Sequence, residues 1–202
     1  MDTEDNYLSK EFHRFYQIRL EYEEGFEDVL SKMYAPSGTT KYDRNLWEIG
    51  APAKNRITTA KVGTNAVVTD LDATVTVTNT YGNNSILYTP IFDIGQIKPD
   101  TMSFWMNRNI PEGAVLKVEY LNYQNKWRAL GSAMDGRSDS WYDASTNFTG
   151  NSQGYSYEKK WYPLSAISGT GDFSQYTQLR FVYYVPEGTA SGDGVAIDEF
   201  KI

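Results

Sequence analysis

The chain contains no cysteine and a single histidine, His13, in 202 residues. The missing cysteine excludes disulfides, thiolate zinc sites and cysteine nucleophiles, and a zinc hydrolase would lack the histidine ligands that it needs. The histidine lies near the amino terminus and no G-x-S-x-G motif is present, which argues against a serine hydrolase. No glycine-rich segment joins a predicted strand to a helix, so no phosphate-binding loop is indicated. These absences predict a protein that is not an enzyme.

Long apolar runs and blocks of positive charge are missing as well. No stretch approaches the roughly 18 apolar residues of a membrane-spanning helix, so membrane insertion is not expected. The 19 basic and 26 acidic residues give a net charge of −7, and an acidic chain without a basic block is a poor partner for nucleic acid. The opening residues, MDTEDNYLSK, are acidic and polar, unlike a signal peptide. The chain is therefore either cytoplasmic or a mature domain taken from an exported protein.

The chain is rich in aromatic side chains and in period-two patterning. Aromatic residues make up 15% of it, with 16 tyrosines, a content that suits strands. From Tyr22 onward, apolar and polar residues alternate in short segments separated by turn-forming residues, which predicts strands. The predicted strand segments are TNAVVTDL, ATVTVTNT, TMSFWMN, AVLKVEYLNY, KWRALGS, QLRFVYYVP and GVAIDEFKI. About ten strands with little helix predict two packed antiparallel sheets, and NYQNKW predicts a hairpin.

The first 21 residues follow a different period. Leu8, Phe12, Phe15 and Tyr16 recur at spacings of three and four residues or stand next to each other, which places them on one stripe of a short helix. The predicted organisation is a lead at residues 1–21, helical or a linker remnant, followed by one all-β domain at 22–202.

Eight motifs occur in an order and spacing that together are more specific than any one of them. They are GFED (25–28), LWEIGAP (46–52), AKVGTNAVVTDL (60–71), LYTPIFDIG (87–95), TMSFWM (101–106), WYPLSAISG (161–169), LRFVYYV (179–185) and GVAIDEFKI (194–202). This order resembles bacterial MAM-like domains, also met as the cleaved-adhesin or choice-of-anchor J modules of secreted proteases and adhesins. The resemblance implies an antiparallel two-sheet jelly-roll sandwich, secreted or at the cell surface.

The resemblance also implies a role. We expect an extracellular, non-catalytic adhesion module that recognises a glycan or a protein at a cell surface, as part of a larger multidomain protein. The alternative is an accessory domain that stabilises or positions a neighbouring secreted protease or glycosidase. An independent glycoside hydrolase is disfavoured, because no predicted strand carries acids at alternating positions, which would place them on one face beside a bound sugar.

The longest predicted loop, residues 132–156, mixes aromatic and polar side chains. A long polar loop in a compact domain is usually functional or disordered, and rings flanked by amides and carboxylates suit a glycan or protein ligand. The predicted ligand-binding residues in and beside it are Arg137, Asp139, Trp141, Tyr142, Asp143, Tyr155 and Tyr157. In the alternative, Trp141 and Tyr155 fold inward and cap the sandwich. The other tryptophans, at positions 47, 105, 127 and 161, are predicted to lie in the core.

Two acidic clusters lie at opposite ends of the predicted domain. Because domain termini often lie close together, Glu27 and Asp198 are predicted to be neighbours. Facing carboxylates repel unless they are protonated or bridged by a cation, and calcium takes oxygen ligands of this kind. The sequence therefore predicts a structural calcium ion held by Glu27 and Asp198, with Glu24 and Asp28 as weaker candidates. In the alternative, these carboxylates accept backbone N–H bonds.

Overall fold

The computed structural model describes residues 17–18, 21–28, 31–36, 45–72, 83–97, 101–165, 175–188 and 191–202. Almost all of the regular structure in these ranges is β-strand. No helix in them is both long enough and apolar enough to cross a membrane. The elements are β1 (Gln17–Ile18), β2 (Glu23–Glu24), β3 (Trp47–Gly50), β4 (Ala66–Thr69), β5 (Asn83–Asp93), α1 (Ile94–Ile97), β6 (Thr101–Asn109), β7 (Val115–Leu121), β8 (Trp127–Ala129), a 3-10 turn (Gln153–Tyr155), β9 (Glu158–Pro163), β10 (Tyr176–Val185) and β11 (Gly194–Lys201).

These strands form two sheets around a shared core. The five-stranded sheet has the order β1-β5-β10-β7-β8, and the six-stranded sheet has the order β3-β4-β11-β6-β9, with β2 paired to β11. The two-residue pair of β1 with β5 is parallel, and the other strand pairs are antiparallel. The predicted antiparallel two-sheet sandwich is thereby confirmed.

The core follows from the alternation that the sequence shows. Along β7, Leu116 and Val118 are fully buried, while Lys117 and Glu119, which alternate with them, are only partly covered. Aromatic side chains fill much of the space between the sheets, and the Phe104 and Phe181 rings meet edge to face at 5.1 Å. Large rings packed in this way contribute both buried area and favourable ring geometry.

The structure tests the predicted helical lead and the predicted hairpin, whereas one predicted strand lies outside the described residues. The helical lead is not supported: Gln17 and Ile18 form a strand beside β5, and the remainder of the lead up to residue 20 lies outside the described residues. The predicted strand ATVTVTNT, residues 73–80, lies outside them as well. The NYQNKW hairpin is confirmed between β7 and β8, where Asn122 donates its N–H to the Lys126 carbonyl.

The prediction that four tryptophans lie in the core is wrong for three of them. Trp47 is buried, but Trp105, Trp127 and Trp161 are only partly covered. Trp105 lies between the buried Phe104 and Met106 on β6, so the alternation of a strand turns it to the outer face. Hydrophobic residue type alone does not determine which face of a strand is covered.

Candidate binding groove

A segment without helix or strand, residues 51–65, crosses the outer face of the six-stranded sheet, and we call it the cover loop. Its Ile57 is fully buried in a small apolar cluster with Ala66, Val68 and Ala196. These three partners alternate with residues of the main core, such as Val67 and Ile197. The cluster is therefore on the opposite side of the sheet from the core, and the cover loop adds a partial third layer there.

Three carboxylates hold the cover loop, and each accepts two consecutive backbone N–H groups. Asp193 binds the N–H groups of residues 56 and 57, Asp198 those of 61 and 62, and Glu27 those of 64 and 65, at distances of 2.5–3.0 Å. Hydrogen bonds to an ionised acceptor are stronger than neutral ones. The loop thus keeps a defined path without forming a strand.

A buried lysine fixes the start of the cover loop. Lys54 is 7% exposed, and its ammonium donates to the backbone carbonyls of Thr69 and Asp193. Burial lowers the pKa of Lys54 to about 8, although carboxylates, led by Asp70 and Asp193, oppose the shift. The ammonium therefore serves as a resident cation beneath the loop.

A groove of about 290 Å³ runs between the cover loop and the segment that leads into β9. The cover loop forms one wall, the segment at 155–157 forms the other, and Asn107 of β6 also contributes to the lining. The lining residues are Arg56, Thr58, Thr59, Ala60, Lys61, Asn107, Tyr155, Ser156 and Tyr157. Hydroxyl, amide, phenol and cationic groups therefore converge on one small concavity.

Asn107 supplies an unsatisfied acceptor in this groove. Its side chain is 96% buried (4% exposed), and its Nδ2 donates to the Tyr155 carbonyl at 2.7 Å. That bond fixes the orientation of the amide, because only the nitrogen can donate to a carbonyl. The opposite atom, Oδ1, is buried and has no hydrogen-bond partner in the described part of the chain. A buried acceptor without a partner is costly, so any donor that reached this atom would be stabilised.

Two cations of the groove lie against aromatic rings. The Arg56 guanidinium is 4.2 Å from the centre of the Tyr155 ring, and the Lys61 ammonium is 4.0 Å from that of Trp105. Such cation–π contacts hold a charge in place. On the other wall, Tyr157 donates its hydroxyl to the Thr59 carbonyl at 3.1 Å, which links the two sides of the groove.

The structure separates the predicted ligand-binding residues into three groups. Tyr155 and Tyr157 line the groove. Arg137, Asp139 and Asp143 do not line it: the first two are exposed on the long loop, and Asp143 forms an ion pair with Arg108 at 2.8 Å. The third group consists of Trp141 and Tyr142.

Trp141 and Tyr142 are core residues, which corrects their predicted role in ligand contact. Both are about 95% buried, and the Trp141 Nε1–H donates to the Leu130 carbonyl. The Tyr142 hydroxyl donates to the Val118 carbonyl and accepts the Val118 N–H. Each polar atom is paired inside the fold, so the rings can be buried without an unsatisfied group. For Trp141 this is the inward-folded alternative.

The predicted metal ligands all belong to the same end of the sandwich but have different partners. Glu27 and Asp198 both bind the cover loop. Glu24 accepts bonds from the Tyr22 and Ser31 hydroxyls and from two backbone N–H groups. Asp28 is exposed. In the part of the chain that is described, no three acidic or histidine side chains converge as metal ligands would.

Calcium at Glu27 and Asp198 stays a prediction, and the hydrogen bonds favour the alternative of backbone anchoring. Asp198 is fully buried and also accepts the Glu199 N–H. Burial raises the pKa of the Asp198 carboxyl, and the three N–H donors offset part of that rise. An N–H donor turned toward a carboxylate oxygen occupies the position that a cation would take, so the pair does not fit a bridging ion.

We expect Asp198→Ala to lower the free energy of unfolding by about 3 kcal/mol, because three partly buried backbone N–H groups lose their charged acceptor. Because N–H donors occupy the position that a cation would take, a chelator should leave the melting temperature of the wild-type protein unchanged. Chemical denaturation and thermal melts with and without EDTA measure the two effects. A melting temperature that falls in EDTA and recovers with calcium would instead support the ion.

Sequence reasoning missed several residues of the groove, although one signal was present. Residues 51–69 contain Lys54, Arg56 and Lys61 but no acid, in a chain whose net charge is −7. Three cations without an intervening acid depart from the acidic balance of the chain, which makes this segment a candidate for a charge-dependent role. Asn107 gives no comparable signal, because its position at the groove depends on the packing of distant segments.

A second surface with aromatic side chains lies on the outer face of the five-stranded sheet. The Trp127 ring is 5.8 Å from that of Tyr88 and 4.1 Å from the Arg180 guanidinium. Arg180 is in turn paired with Glu119 at 2.6 Å. These groups satisfy one another, so this surface lacks the unpaired acceptor that distinguishes the groove.

The architecture places the chain among jelly-roll sandwiches. No family model and no curated protein matches its sequence. A cleaved adhesin domain of Lys-gingipain from Porphyromonas gingivalis is similar in structure, with a TM-score of 0.53 and 11% identity over 90% of this chain and 96% of that one. The resemblance inferred from the sequence motifs is thereby confirmed at the level of the fold. A xylan-binding CBM22 domain from Paenibacillus barcinonensis aligns over 89% of this chain and 90% of its own at 13% identity, with a TM-score of 0.43.

Proposed function

We propose that this chain is a non-catalytic binding module of an exported, multidomain protein, and that it takes a glycan into the groove beneath the cover loop. The convergence of donors and acceptors in the groove carries the proposal, since a sugar presents several hydroxyls that both donate and accept. The shared fold with an adhesin domain supports a binding role at a surface.

The chemistry of the groove suits a saccharide. Thr58, Thr59 and Ser156 bring hydroxyls that both donate and accept, as sugar hydroxyls do. Tyr155 and Tyr157 add partly exposed rings with an apolar body. Ligand sites combine apolar and aromatic walls with a few placed polar groups in this way.

We expect Tyr155→Ala to weaken glycan binding by about tenfold or more while leaving the melting temperature nearly unchanged, because aromatic contact residues dominate binding energy and this ring is only partly buried. Wild-type protein is applied to a panel of immobilised neutral and charged oligosaccharides. The strongest binder is then titrated against both forms by calorimetry.

Tyr123→Ala is the matched control. Tyr123 is 57% exposed in the hairpin between β7 and β8 and does not line the groove. Its loss should change neither binding nor stability. If no oligosaccharide on the panel binds the wild-type protein, or if Tyr155→Ala binds as tightly as wild type, the proposed function is wrong.

A further inference from the structure

We propose that the groove selects anionic glycans, meaning saccharides whose rings carry carboxylate or sulfate groups. This inference rests on the proposed function, because it names the chemistry of the ligand in the same groove. It follows from the placement of two cations, Arg56 and Lys61, in a groove that hydroxyl, amide and phenol groups also line.

Neither cation has a carboxylate partner among the residues that the structure describes. Elsewhere in the described ranges, Arg108, Lys160 and Arg180 are each paired with an acid within 3 Å. Arg56 and Lys61 form no ion pair in those same ranges, although the chain has more acids than bases. Two cations that line one groove without a bonded acid give the groove a local positive field in an acidic protein.

Two buried acids on the sheet side of the cover loop already bind its backbone. Asp193 accepts the backbone N–H of Arg56, and Asp198 accepts that of Lys61. These carboxylates are almost fully buried, so they bind the backbone of the cover loop from the sheet side. They reduce the positive field of the groove, but they do not bond to either cationic head group.

Aromatic rings hold the cations while leaving their donors uncommitted. The Arg56 guanidinium lies over Tyr155 and the Lys61 ammonium over Trp105. Neither head group donates a hydrogen bond within the described residues, and stacking restricts its motion before a ligand arrives. A carboxylate or sulfate would accept strong, charge-assisted hydrogen bonds from these donors.

The hydroxyl lining distinguishes a saccharide from a plain anion. Inorganic phosphate or sulfate could satisfy the cations, but a sugar also offers several hydroxyls to Thr58, Thr59 and Ser156. The volume of about 290 Å³ is at the small end of ligand pockets. Such a groove fits one or two substituted rings better than an extended acidic peptide.

The test compares three saccharide probes by calorimetry: an oligogalacturonate, a heparin-derived oligosaccharide and uncharged xylohexaose. We expect wild-type protein to bind at least one anionic probe about tenfold or more tighter than xylohexaose, with an affinity that falls as salt is raised. The double substitution Arg56→Gln with Lys61→Gln should remove that preference. Arg56→Lys should retain most of it, because the charge remains.

Matched controls are Arg128→Gln and Lys126→Gln, two exposed cations at the opposite sheet. They should leave every affinity unchanged, and thermal melts confirm that the groove variants fold. If xylohexaose binds as tightly as the anionic probes and Tyr155→Ala abolishes its binding, the anionic preference is wrong but the proposed function stands. If no saccharide binds, the proposed function itself fails. If poly-glutamate binds as tightly as the anionic sugars, the saccharide class is wrong.

Discussion

Trp141→Ala should lower the free energy of unfolding by about 3–5 kcal/mol, as large-to-small substitutions of core aromatics do. The Trp141 ring is 4% exposed and lies within 6 Å of four other aromatic rings, those of Phe104, Tyr142, Phe148 and Tyr162. Alanine would leave a cavity among them and an unpaired Leu130 carbonyl. In a protein of this size, the loss corresponds to a fall of roughly 6–20 °C in melting temperature.

Trp141→Phe separates the two contributions. It retains a ring but removes the Nε1–H donor to Leu130, so its cost should lie between those of wild type and alanine. Tyr123→Ala, at an exposed ring, should be nearly neutral. A Trp141→Ala protein that melts normally but no longer binds its ligand would restore the tryptophan as a contact residue and contradict the core assignment.

Lys54→Met should also destabilise the protein by about 3–5 kcal/mol, because it removes one partner from a buried charged cluster. Methionine keeps an apolar stem of similar length, but the Thr69 and Asp193 carbonyls lose their donor. The buried carboxylates of Asp70 and Asp193 lose a neighbouring cation at the same time. Chemical denaturation at pH 7 measures the loss, with Lys126→Met as the exposed control.

The same lysine should give the wild-type protein a distinctive pH dependence. Burial lowers the Lys54 pKa from 10.5 to about 8, so the folded protein releases this proton earlier than the unfolded chain does. Above pH 8 the unfolded state binds more protons, and the contribution of Lys54 to the free energy of unfolding rises with pH. Lys54→Met should remove that rise between pH 7 and 9. A variant that keeps the wild-type slope would show that another group is responsible.

The fold was predictable because its determinants are local. Alternation along residues 114–121 reports directly which side chains face the core, and the turn-forming residues between strands mark the ends. The side chains on the outer face of a strand are harder to assign from sequence, because their burial and their access to a ligand depend on the segments that lie over that face. Trp105 was expected in the core and is on the outer face, whereas Trp141 was expected at a ligand and is in the core.

The groove was predictable only in part for the same reason. Tyr155 and Tyr157 stand in or beside a polar segment, so their composition and position indicated a binding role. Arg56 and Asn107 come from parts of the chain about 100 and 50 residues earlier, respectively, and tertiary packing brings them beside these tyrosines. Asp198 could be recognised as an acid that needs compensation, but its N–H partners lie in a segment without periodicity.

The way in which the cover loop is attached allows its side chains to vary. The three carboxylates hold the loop only through main-chain N–H groups, at residues 56, 57, 61, 62, 64 and 65. Every amino acid except proline supplies that group. The side chains at 56, 58, 59 and 61 can therefore be exchanged while the path of the loop is retained, and ligand preference becomes separable from folding. The sandwich provides a scaffold on which a library of altered specificities could be built from one short, randomised segment.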